Sequence, residues 1–135
     1  YSGPIYGVEE MVAATSALVE GKWAVAGEHT HRFERLFSTY LGQAESVAVN
    51  SGSSADLIMV AAAKARYGWA DGDGIIVSPC GFPTTVSAIT LNGLKPVFVD
   101  IEWETLNASN DAIRALLSKQ RADGGAIKAI LKAAA

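Results

Sequence analysis

Between residues 47 and 131, short apolar runs bounded by turn residues alternate with stretches of helical periodicity, and few folds accommodate that alternation. Residues 47–49 read as a short buried strand, and residues 75–77, 97–99 and 127–131 as further strands. The helices expected between them start at Ser53 or Ser54, run from 84 to 91 with Asn92-Gly93 as the stop, and carry Ile113, Leu116 and Leu117 on one face. Asp71-Gly72-Asp73-Gly74 reads as a turn. Strands alternating with helices predict an α/β layered fold with a largely parallel sheet. Ahead of it, Val8, Met11, Val12, Leu18 and Val19 mark one amphipathic helix. Phe33, Leu36, Phe37, Tyr40 and Leu41 mark a second, which Gly42 stops. The run Leu57-Ile58-Met59-Val60 is apolar on all sides of its helix, which predicts burial.

The 135 residues suffice for one core, and a composition 50% hydrophobic and 19% charged predicts a folded chain. A net charge of −3 offers no basic surface for nucleic acid. No apolar run nears the ~20 residues that cross a bilayer, so no membrane span is expected. The sequence shows no signal-peptide pattern, and its lone Cys80 excludes an internal disulfide. A cytoplasmic location is expected from both. The first residue is not Met, so the natural start is expected upstream of Tyr1. The sequon Asn107-Ala108-Ser109 reads as chance in that compartment.

One stretch carries chemistry on its face. In Val49-Asn50-Ser51-Gly52-Ser53-Ser54-Ala55 a strand, a Gly/Ser turn and a helix start follow one another directly. The first turn of a helix leaves backbone N–H groups unpaired at the positive end of the dipole. Gly52 lets a ligand reach the main chain, and Ser53 and Ser54 add hydroxyl donors. That is an anion seat of the kind that holds phosphate, although an ordinary strand–helix connection uses the same residues. No Gly-Lys-Ser/Thr follows, so it is not a P-loop, and the further glycines of the dinucleotide fingerprint are absent.

Asn50, the segment 78–82 and Asp100 all follow strand ends, where ligands of parallel sheets sit, and are candidates for one crevice. Phe82, set between Gly81 and Pro83, offers a flat wall for a ring or else a core side chain. Cys80 has only the distant His29 and His31 as bases, which favours a small buried thiol over a nucleophile. Asp100 and Glu102 are spaced as an acid–base pair, but a turn cap for Asp100 and a solvated Glu102 are preferred. His29 and His31 have no third ligand nearby in sequence, so no metal is expected. Lys22, Lys64, Lys95, Lys119, Lys128 and Lys132 lack a desolvating context and read as surface residues rather than imine formers.

In order and spacing these blocks resemble the N-terminal part of the DegT/DnrJ/EryC1/StrS group of pyridoxal-phosphate enzymes, the nucleotide-sugar aminotransferases and dehydratases. The matching blocks are Tyr1-Ser2-Gly3-Pro4, residues 23–27, Phe33-Glu34 with Tyr40-Leu41-Gly42, and residues 49–55. They continue through residues 72–77, Gly81-Phe82-Pro83-Thr84-Thr85-Val86 and residues 92–100. The Gly-Phe-Pro-Thr-Thr-Val form, with Tyr-Ser-Gly-Pro and Ser-Gly-Ser-Ser, is similar to the branch that removes the 3-hydroxyl of nucleotide-linked 4-keto-6-deoxyhexoses, with CDP-linked sugars as its nearest type.

The resemblance implies a three-layer α/β/α arrangement, part of the large domain of the fold-type I transferase fold. Residues 1–135 would be an incomplete cofactor-binding large domain, with N-terminal helices in 1–45, an α/β core in 46–131 and no C-terminal small domain. Gly52, Ser53 and Ser54 would hold the phosphate of pyridoxamine or pyridoxal phosphate, and Phe82 would stack on its ring. Trp23, Val25 and Gly27 would lie near the sugar. A homodimer is implied, and a nucleotide-linked 4-keto-6-deoxy sugar as substrate in deoxysugar or lipopolysaccharide synthesis. Some members carry an iron–sulfur cluster, whose ligands are not visible here. The carboxylate for the pyridine nitrogen, and the Lys or His that moves protons, would lie beyond residue 135. No catalytic residue is therefore expected in this chain, which is expected to be inactive alone. Aminotransferase, or a non-catalytic phosphate- or nucleotide-binding module, are the alternative readings. Val25, Asp56 and Gly74 depart from the family pattern, which more often has Thr, Asn or Ala, and Glu at those places.

Overall fold

The computed structural model describes residues 3–21, 27–122 and 126–131. The chain divides into two compact units, Tyr1–Ala48 and Val49–Ala135. Among the described residues no helix is long and apolar enough to cross a membrane.

The first unit holds α1 (Val8–Glu20) and α2 (Glu28–Leu41). The Glu10 carboxylate accepts the Gly7 amide at 2.7 Å and so closes the start of α1. Gly42 ends α2, as its position predicts. Beyond it the chain folds back on the helix. The Ser38 and Ser46 hydroxyls lie 2.6 Å apart, and Glu34 Oε1 accepts the Ala48 amide at 2.8 Å. Residues 47–49 were expected as a buried strand, and the structure corrects this. They form no strand, and Val47 is 76% exposed. A strand needs a neighbour to pair with, and the amide of Ala48 has a side-chain partner instead.

The second unit is the α/β core. It contains α3 (Gly52–Tyr67), β1 (Gly74–Val77), α4 (Pro83–Leu91), β2 (Lys95–Phe98), α5 (Asn110–Ala122) and β3 (Ile127–Leu131). The strand order is β2-β1-β3 and both pairings are parallel, so β1 is central. Its residues are buried throughout, and they alternate between two packed faces. Ile75 and Val77 pack with Val60 of α3, Ala88 and Ile89 of α4, and Leu94. Ile76 packs on the other face with Val99, Ala108 and Ile113. The core is thus three layers, with α3 and α4 on one side of the sheet and α5 on the other.

The expected strands 75–77 and 127–131 and the helix near 84–91 are present, while the strand expected at 97–99 forms earlier, at Lys95–Phe98. Burial of the α3 run is a correction. Val60 is buried, but Leu57, Ile58 and Met59 are exposed, Ile58 by 51%. A helix of this radius shows one side to a sheet, and the second unit places only the Val60 side there.

Candidate cofactor site

Topology alone brings two helix starts to one edge. The parallel strands all end at the same side, and α4 leaves β1 directly from that side. The chain enters β1 from α3 through the turn at 68–73, so the start of α3 faces the same carboxyl edge. A side-chain contact ties these starts together. The Thr85 hydroxyl, on the first turn of α4, donates to Asp56 Oδ2 on α3 at 3.1 Å.

Ser51 caps α3, its Oγ accepting the Ser54 amide at 3.2 Å and its carbonyl the Ala55 amide at 3.0 Å. Ser54 donates its hydroxyl to Asn50 Oδ1 at 2.6 Å, and the Ser51 hydroxyl donates to Ser54 Oγ at 3.1 Å. Among the described residues, the amides of Gly52 and Ser53 and the Ser53 hydroxyl have no partner. A Cβ added at Gly52 would meet nothing within 4 Å, so the main chain there is open to approach. The first turn carries no acidic residue. Two free amides and a hydroxyl at the positive end of a long helix are the donor set that a phosphate monoester needs, and the seat fits one.

Phe82 is the N-cap of α4, 58% exposed, with Pro83 as the first helical residue. The Thr85 amide donates to the Phe82 carbonyl at 3.1 Å. Of the residues expected near the sugar, Gly27 caps α2, and Trp23 and Val25 lie outside the described residues.

Other candidates resolve differently. Cys80 is exposed, a correction of its expected burial, because the loop after β1 turns outward where the Cys80 amide donates to Ser78 Oγ at 3.1 Å. Asp100 caps its turn, accepting the Ile101 amide at 2.8 Å. Glu102 is not simply solvated. Its carboxylate accepts the Asn110 amide at the start of α5 at 3.2 Å and meets the Thr105 hydroxyl at 3.3 Å. Both carboxylates thereby brace the segment 100–110, which agrees with the turn cap expected for Asp100. His31 Nδ1 lies 3.1 Å from Glu34 Oε2. Among the described residues no group of three His, Cys, Asp or Glu could hold a metal.

Lys22 and Lys132 lie outside the described residues, and the other lysines sit away from the two helix starts. Lys64 pairs with Asp71 and donates to the Asn92 carbonyl at 2.6 Å. Lys128 lies 3.7 Å from the buried Asp73. Asp71 and Asp73 belong to the turn that enters β1, at the opposite edge of the sheet from the start of α3. Asp71 is held below the usual aspartate range, chiefly by its hydrogen bond to Lys64 and then by that charge.

A parallel sheet between helix layers, with a phosphate-type helix start beside an aromatic loop at the carboxyl edge, defines an α/β domain with a candidate site for a phosphate-bearing ligand. Residues 5–134 match the DegT/DnrJ/EryC1/StrS aminotransferase family, and the chain belongs to it. It is 38% identical over 123 residues to a dTDP-4-dehydro-2,6-dideoxy-D-glucose 3-dehydratase of Saccharopolyspora spinosa, covering 88% of this chain and 26% of that protein. It is 39% identical over 107 residues to the spore coat polysaccharide biosynthesis protein SpsC of Bacillus subtilis, covering 79% of this chain and 26% of that one. Its structure superposes with a TM-score of 0.78, at 30% identity, on the E. coli GDP-4-keto-6-deoxy-D-mannose-3-dehydratase with bound hydrated PLP, covering 97% of this chain and 32% of that one. The chain therefore spans between a quarter and a third of the length of these relatives.

Proposed function

We propose that this chain is the N-terminal part of a pyridoxamine- or pyridoxal-phosphate enzyme that acts on a nucleotide-linked 4-keto-6-deoxyhexose, removing its 3-hydroxyl. One observation supports it most. The free donors of Gly52 and Ser53 stand on the same sheet edge as the Phe82 loop, and 3-dehydratases are among the relatives. Gly52 and Ser53 hold the cofactor phosphate through their amides and the Ser53 hydroxyl. Ser54 joins them by turning its hydroxyl from Asn50. Phe82 supplies a flat face against which the pyridine ring lies, stacking contributing roughly 0.5–1.5 kcal/mol beyond area burial. Trp23, Val25 and Gly27 bound the sugar. When bound, the cofactor supplies the electron sink that lets the hydroxyl depart. The residues of this chain bind and orient, and the proton-moving group comes from elsewhere in the intact protein. That protein is a cytoplasmic homodimer.

The family description favours a second reading, transfer of an amino group to the same ketone. One assay separates them. The intact protein is incubated with pyridoxamine phosphate and a nucleotide 4-keto-6-deoxyhexose, and the sugar is weighed by mass spectrometry. Loss of a hydroxyl is expected. Gain of an amine would replace the dehydratase reading by the aminotransferase one, and an unchanged sugar would remove both.

A further inference from the structure

Resting on that cofactor reading, we infer that Asp56 and Thr85 are positioning residues that set the spacing between the phosphate seat and the ring wall. The seat lies on α3 and the wall on α4, and neither helix start is fixed by its own cap with respect to the other. One connected path joins them. Asp56 lies four residues after Gly52, so its side chain leaves the same face of α3 one turn along. Its Oδ2 accepts the Thr85 hydroxyl at 3.1 Å, and the Thr85 amide donates to the Phe82 carbonyl at 3.1 Å. Two hydrogen bonds therefore run from the seat helix to the backbone of the aromatic residue.

The charge of Asp56 gives the link a second purpose. A carboxylate one turn from an anion seat opposes the anion, unless it is directed elsewhere. Thr85 holds it toward α4. Asp56 and Thr85 are both half-buried, so the bond is sheltered in part from competing water.

The two kinds of ligand should therefore respond differently. Inorganic phosphate touches only the α3 start. Pyridoxamine phosphate must meet the α3 start and Phe82 at once, and it gains from both only if their spacing is held. The test measures dissociation constants of the intact protein for inorganic phosphate and for pyridoxamine phosphate. Asp56→Ala and Thr85→Val are each expected to weaken pyridoxamine phosphate about fivefold, the worth of one net hydrogen bond. Phosphate affinity should stay within about twofold of the parent or rise slightly in Asp56→Ala, since a like charge is removed. The double variant should be no weaker than either single one, because both remove the same bond. Asp56→Asn and Thr85→Ser, which keep an acceptor and a donor, should restore most of the affinity. Equal loss of both ligands, or no rescue by the conservative pair, would reduce the link to ordinary helix packing and overturn the inference. Wild-type affinity for pyridoxamine phosphate in Asp56→Ala and Thr85→Val would overturn it and leave the cofactor reading intact. Failure of the parent protein to bind the cofactor would overturn both.

Discussion

Glu34 fastens the first unit with one side chain. Its Oε1 accepts the Ala48 amide at 2.8 Å, and its Oε2 faces His31 Nδ1 at 3.1 Å. The amide bond, and then the bond to His31, hold its carboxyl below the usual glutamate range. A lowered folded pKa stabilises the unit fully above the ordinary glutamate value of about 4.3 and loses that contribution as pH falls through the lowered value. Glu34→Gln should therefore flatten the acid limb of the stability curve below about pH 4.5, read by circular dichroism against pH. An unchanged acid limb would show that the bond to Ala48 does not distinguish folded from unfolded chains. Gly93 supports a second expectation at this scale. Its φ is +72°, and an added Cβ would stand 2.8 Å from Asp71 Oδ1, an atom already held by Lys64. Gly68 has φ +63° with nothing within 4 Å of the same position. Both substitutions to Ala carry the left-handed cost of about 1–2 kcal/mol, and only Gly93→Ala adds the collision. Urea midpoints should rank Gly93→Ala below Gly68→Ala, and the reverse order would mean that Asp71 moves aside freely.

At the scale of an element, the start of α3 separates two jobs that the sequence assigns to its serines together. Ser51 is the cap and Ser54 is bonded to Asn50, while the Ser53 hydroxyl is uncommitted. Ser51→Ala should cost about 1 kcal/mol of stability as a lost N-cap. Ser53→Ala should leave stability within about 0.5 kcal/mol, as a surface change does. It should weaken phosphate binding about tenfold, the worth of a hydrogen bond to a charged group. Denaturation and phosphate titration on the same two variants check this, and a stability loss at Ser53 would mean it also caps the helix. That a helix starts here was legible in sequence because Gly/Ser chemistry is local, but the cap expected at Ser53 or Ser54 is corrected to Ser51, whose Oγ accepts the Ser54 amide. The division among its serines was not legible, since it depends on which side chains turn toward Asn50. Neither was the bond from Thr85 to Asp56, which joins residues 29 positions apart. Asp56 could be noticed as unusual, but no spacing rule pairs it with a threonine on the next helix.

Across the whole molecule, the strands read from apolar runs succeeded at β1, which is buried throughout, and at β3, which is half-buried at alternate residues beside it, and failed at residues 47–49. Apolarity states that a segment wants cover, not which segment covers it, and the same reason explains the exposed Leu57, Ile58 and Met59. Gly74 makes the converse point, since its meaning appears only once the strands are paired. It lies on the central strand, where an added Cβ would stand 3.1 Å from Val97 and 3.2 Å from Ile127 on the strands either side. The layered arrangement also bears on catalysis. Lys64 and Lys128 are bound to carboxylates of the turn that enters β1, and Lys95 begins β2, so these three stand at the amino edge of the sheet. Lys119 lies on α5, on the far face from α3 and α4. The proposed seat is at the carboxyl edge, so no lysine of the described core is placed to move a proton at a cofactor held by Gly52 and Ser53. The 135-residue chain purified alone is accordingly expected to convert no nucleotide 4-keto sugar when supplied with pyridoxamine phosphate, with mass spectrometry of the sugar as the readout. Turnover by that chain would show that a group other than the described lysines moves the proton at the carboxyl edge.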